Sequence, residues 1–144
     1  MTPEALSRLT LVHGIVAWLD TLLLLLVSSQ LLRKQWPDKP FFRSLSIVAT
    51  LGAIASFASG MALEMHYRIH LRQKLFIKSK TLGWLFERKM HLSFGVLLFA
   101  SIGLLTLLLT RKDPRFFGSM RSSYVLAAIF ALAASVISAI VRAS

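Results

Sequence analysis

Four long apolar runs, separated by short polar stretches, dominate the chain. They lie at about 9–32, 44–65, 90–110 and 122–141, and each reaches the roughly 20 residues a helix needs to cross a bilayer. Arg, Lys, Trp or Pro bounds each run, as suits the headgroup zone. Backbone groups in hydrocarbon must bond within their own segment, so the runs are expected to be helices. The expected fold class is all-α: an integral membrane up-down-up-down four-helix bundle, one domain over residues 1–144. The first run is too long for the apolar core of a usual signal peptide, and only Arg8 precedes it as a basic residue, so it is expected to stay in the mature protein.

The connections differ in character. Arg33 to Arg43 (RKQWPDKPFFR) and Arg111 to Arg121 (RKDPRFFGSMR) are short and turn at Pro37, Pro40, Pro114 and Gly118. Their shared order of basic pair, Asp or Pro, Phe-Phe and Arg admits an internal duplication, although basic-aromatic loops are common at membrane surfaces. The middle segment, about 66–89, interleaves Leu75, Phe76, Ile77, Leu82, Trp84, Leu85 and Phe86 with seven basic residues. That mixture suits a stretch lying in the membrane interface with its apolar side down. Its later part is expected to run straight into the third span.

Composition sharpens the picture. Hydrophobic residues make up 56% of the 144 positions and charged ones only 16%, against about 45–50% and 25% in soluble domains. With no cysteine, disulfides, iron–sulfur ligation and thiol catalysis are excluded. The net charge of +11 does not point to nucleic acid, because the basic residues are split among span ends rather than gathered on one soluble face. The two short loops hold eight Lys and Arg and the other side nine, so the positive-inside rule is nearly silent. If the middle basics serve a bound anionic group they are discounted. The short loops then face the cytoplasm and the termini lie outside, in a bacterial plasma membrane.

Histidine carries the candidate chemistry. His13 begins the first run, His66 and His70 end the second, and His91 begins the third. An up-down-up-down bundle brings all four to one membrane face. His66 and His70 are one turn apart, and Trp84, Glu87, His91 and Gly95 form one stripe. Gly95 sits one turn beyond His91, where a missing side chain admits a flat ring. A b-type haem needs one or two imidazoles, room for a planar macrocycle, and cations near its propionates. His13 with His91 is the favoured ligand pair, because the first and third helices of a square bundle are diagonal. His66 or His70 is the alternative ligand. Gly95, Gly14 and Ala17 offer room, and Arg68, Arg72, Arg88 and Lys89 offer cations.

On LVHG in the first helix, EMHYRIH at the end of the second and ERKMHLSFG at the start of the third, the chain resembles small four-helix membrane proteins of the cytochrome b type. The resemblance covers the layout of the whole chain. It implies non-covalent haem b and electron exchange with a quinone or a partner redox protein. Such cytochromes often place ligands deeper or at both faces, whereas these histidines cluster near one interface, which favours a single haem near one surface.

A mononuclear metal site built from Glu64, His66, His70, Glu87 and His91 is the rival. The Glu-x-x-His pairs of di-metal bundles do not occur. Glu64 and Glu87 also have a plain reading as partners of Arg68, Arg88 or Lys89. Asp20 lies well inside the first span, where a charged carboxylate costs several kcal/mol. It is read either as a proton-relay or quinone contact, or as a carboxyl hydrogen-bonded within the bundle. Gly52, Ser56 and Gly60, and likewise Ala127, Ala131 and Ser135, are read as close-packing stripes. No phosphate loop, nucleophile elbow or HExxH motif is present. The chain is thus expected to be an electron carrier or complex subunit rather than a stand-alone enzyme. The alternative is a structural or assembly subunit whose histidines only hydrogen-bond.

Overall fold

A computed structural model describes residues 2–33, 40–110 and 113–143. The described residues are helical throughout, with no strand: α1 (Pro3–Leu31), α2 (Pro40–Tyr67), a π-helical turn (Arg68–Arg72), α3 (Gln73–Lys78), α4 (Lys80–Leu109), a 3-10 turn (Pro114–Phe116) and α5 (Phe117–Ala143). Four helical stretches are long and apolar enough to cross a membrane. The centres of the short loops, with Lys34, Pro37, Lys39, Arg111 and Lys112, lie outside the described residues.

Each helix outruns the apolar run that announces it, because hydropathy marks the part suited to lipid while backbone hydrogen bonding continues into polar sequence. Local chemistry sets the ends. Thr2 caps α1 by accepting the Ala5 amide at 3.3 Å, and Pro3 occupies the first turn, where its missing N–H costs nothing. Asp113 accepts the Arg115 amide at 2.9 Å and starts the turn that leads into α5.

The middle segment, expected to lie in the membrane interface, is helical and doubles back on itself. Residues Pro40–Lys78 form one helical stretch of 39 residues, widened by the π-helical turn at Arg68–Arg72. Within this segment Ser79 alone is extended, with φ −162° and ψ 127°. The chain then folds back, so α3 packs against α4 rather than lying free. Phe76 fits over Gly83, where an added Cβ would stand 2.5 Å from its ring. Trp84 meets the same ring edge-on, and Arg72 pairs with Glu87. The continuation of α4 straight into the third span is present as expected.

The four long helices form a ring in which α1 packs against α2 and α5, and α4 against α5 and α2. Packing differs between the two halves of the bundle. One half is solid: Leu24, Val27 and Leu31 of α1 meet Phe42, Ala49, Met120, Tyr124 and Ala127. The Tyr124 ring lies where a Cβ on Gly103 would be, at 2.8 Å, so α4 and α5 approach closely there. In the other half, among the described side chains, α1 has none buried before Asp20 and α5 none after Ser135. Small residues on α5 leave that half hollow. The outer faces carry large exposed apolar side chains such as Leu11, Ile15, Leu22, Leu51 and Leu105.

Candidate functional site

The hollow half encloses a cavity of about 750 Å³ bounded by all four long helices. This falls within the range of small-molecule sites, about 300–1,000 Å³. Its wall is mostly apolar and small: Gly14 and Ala17 of α1, Ala53 of α2, Val96 of α4, and Ala131, Ala134 and Ala139 of α5. Tyr67 and Phe86, set edge to face at 5.8 Å, close one side. Polar groups are few and placed at two levels.

At the inner level stand Asp20, Thr21 and Ser135. Asp20 is 3% exposed, and its Oδ1 has no hydrogen-bond partner. It packs on bare backbone: a Cβ on Gly52 would sit 2.7 Å from that oxygen. Thr21 donates to the Ala17 carbonyl at 2.8 Å, and its oxygen lies 3.0 Å from the Ser135 hydroxyl. A lone buried carboxylate oxygen is costly unless something supplies a donor.

At the outer level stand His13, Lys89 and Arg142. His13 and Asp20 are seven residues apart on α1, so the levels are separated by about 10 Å of helix rise. His13 leans on Gly60, where a Cβ would be 3.1 Å from its ring. Its Nδ1 lies 2.9 Å from the Ser59 hydroxyl, which in turn donates to the Ser56 carbonyl at 3.0 Å. With the Ser59 proton committed to the Ser56 carbonyl, Nδ1–H is the donor and Nε2 of the neutral ring keeps its lone pair; with that proton turned to Nδ1, the roles reverse. The Arg142 guanidinium comes within 3.3 Å of the place a Cβ on Gly14 would take. Lys89, Arg142 and His13 are close enough to feel each other's charge.

The remaining residues singled out in the sequence lie elsewhere. The rings of His66 and His70 lie 4.4 Å apart and tilted at 49°, where α2 passes into the π-helical turn, and neither reaches the cavity wall. His91 is exposed and off that wall. Of the four imidazoles only His13 therefore lines the cavity, and the setting of α4 about its own axis leaves His91 exposed. The room expected beside Gly95 is taken by Phe130, whose ring would be 2.4 Å from a Cβ there. Arg68 is held by Glu64 at 2.8 Å, and Arg72 by Glu87. These two cations and two acids thus serve one another. Among the described residues no group of three or more His, Asp or Glu side chains gathers as a metal site.

Arg142, Tyr67, Thr21 and Ser135 belong to the wall although the sequence reading did not place them there. For Ser135 and Arg142 the signal was the small-residue face of α5, which serves close packing at Ala127 and faces the hollow from Ala131 onward. Comparison of the chain with models of known protein families, with curated proteins and with solved structures found no match.

Proposed function

We propose that the protein is a membrane-embedded up-down-up-down bundle that binds a small amphipathic molecule in this cavity, drawn from the lipid phase. The observation that carries the proposal is the buried Asp20 carboxyl, with an unpartnered oxygen, on the wall of a hollow that is apolar over most of its surface. Ionisable groups within spanning helices are costly and face bundle interiors where they have work to do. Pockets that take small molecules combine an apolar wall with a few placed polar groups. Asp20 and the Thr21–Ser135 pair orient the buried end of the molecule, and His13 offers an acceptor at Nε2 nearer the mouth.

The test is purification from native membranes, followed by solvent extraction and mass spectrometry. One compound is expected in near-stoichiometric amount. It should be lost from Ala17→Phe, which puts a ring into the middle of the cavity, while the thermal unfolding of that variant stays cooperative. Recovery of bulk lipid only, identical for both proteins, refutes the proposal.

One observation favours a second reading. A histidine fixed through Nδ1 with Nε2 left basic is the arrangement metal-ligating imidazoles use. A haem held by His13 alone is that reading. It departs from the paired ligation of His13 and His91 expected from the sequence, and it leaves no second imidazole to complete the iron's coordination. An absorbance band near the Soret region, lost in His13→Ala, distinguishes it within the same preparation.

A further inference from the structure

The outer level of the cavity has a charge imbalance that narrows the class of occupant. Five acidic residues are described: Glu4, Asp20, Glu64, Glu87 and Asp113. Glu4, Glu64 and Glu87 are paired with Arg8, Arg68 and Arg72. Asp113 caps the turn before α5. Asp20 lies about 10 Å further in than His13. Lys89 and Arg142 therefore both line the outer level with no described acid to balance them. Lys89 is half-exposed and Arg142 exposed, so the less solvated ammonium gains the more from an anion beside it.

We infer that the occupant is an anionic amphiphile whose carboxylate or phosphate end is held between Lys89 and Arg142, with its apolar body directed toward Asp20. The inference rests on the cavity being a ligand site and names the class of ligand. A guanidinium fork and an ammonium together suit an oxyanion, the first by paired hydrogen bonds and the second as a point charge. The Ala and Gly wall between the levels suits an alkyl or ring body. The unpartnered Asp20 oxygen calls for a donor, so a hydroxyl at the far end of the molecule strengthens binding.

Native mass spectrometry of the full chain released from micelles tests this with five probes: laurate, dodecyl phosphate, dodecanol, ω-hydroxylaurate and inorganic phosphate. Laurate and dodecyl phosphate should bind one to one, at least ten-fold more tightly than dodecanol. ω-Hydroxylaurate should bind more tightly than laurate, and this gain should vanish in Asp20→Leu. Lys89→Gln and Arg142→Gln should each weaken laurate about ten-fold and leave dodecanol unchanged. Equal binding of dodecanol and laurate, with both lost in Ala17→Phe, overturns the anionic class while leaving the cavity as a ligand site. Inorganic phosphate binding as tightly as dodecyl phosphate assigns the mouth to a free anion and overturns the amphiphile. Failure of every probe, with no compound extracted from native protein, removes both this inference and the ligand site beneath it.

Discussion

Replacing Gly95 by Ala tests whether the contact of α4 with α5 is as close as described. A Cβ at that position would meet Phe130 Cδ2 at 2.4 Å and Cε2 at 2.7 Å, whereas ordinary contact begins near 3.4 Å. The ring or the helix must therefore retreat by about 1 Å. Phe130 has little freedom to do so, because its ring stands edge-on to Phe99 at 5.6 Å. Overpacking of this kind costs about 1–3 kcal/mol. The higher helix propensity of Ala returns at most about 1 kcal/mol, so the net expectation is a loss of up to about 2 kcal/mol. Gly118 is the control, since nothing lies within 4 Å of its added Cβ. Gly118→Ala should therefore stabilise by up to about 1 kcal/mol. Reversible unfolding in mixed micelles of rising denaturing-detergent content measures both. Phe130→Leu combined with Gly95→Ala should recover part of the loss, with a coupling of at least 0.5 kcal/mol. A Gly95→Ala protein as stable as Gly118→Ala, or additive behaviour with Phe130→Leu, refutes the close approach.

Three other outcomes are expected. In a translocon insertion assay, Asp20→Leu should favour insertion of α1 by about 3 kcal/mol, the penalty for Asp at the centre of a spanning helix; no change would remove α1 from the membrane interior. A double-variant cycle of Thr21→Val and Ser135→Ala should give a coupling of about 0.6 kcal/mol, with about 1.7 as a ceiling, measured by the same unfolding titration. Glu87→Ala should cost less than about 1 kcal/mol, because the pair with Arg72 is partly solvated; Gly83→Ala, which drives a Cβ into the Phe76 ring, should speed protease cleavage near Ser79 far more.

The helices were legible because twenty-residue apolar runs have few alternatives, and the inward setting of Asp20 followed from the expense of leaving it in lipid. The pairing of Glu64 with Arg68 was also readable, being one turn apart on one helix. Histidine convergence was not. Chain order gives the end of the bundle at which each ring lies, but rotation about the helix axis decides whether it points in or out, and an apolar helix in lipid carries a faint record of that rotation. Gly95 was read as room for a flat ring beside His91, and the sequence could not show that the ring of Phe130, from α5, takes that room. The hollow half was hidden for a related reason. Ala and Ser at helical spacing are equally consistent with tight packing and with empty space, and only the partner helix distinguishes them.

Gly52 and Gly60 each receive a polar side chain of α1, Asp20 and His13, against open backbone. Two such notches along α2 act as the wards of a lock. Sliding α2 by one residue would bring Leu51 or Ala53 to one notch and Ser59 or Met61 to the other, and both α1 side chains would be obstructed. Leucine and alanine elsewhere on these helices distinguish poorly between neighbouring alignments, since lipid and bundle interior are alike to them. The choice of one arrangement over its near neighbours is thus concentrated in a handful of positions, and the outward-facing aliphatic residues are free to drift among Leu, Ile and Val without altering how α1 and α2 meet.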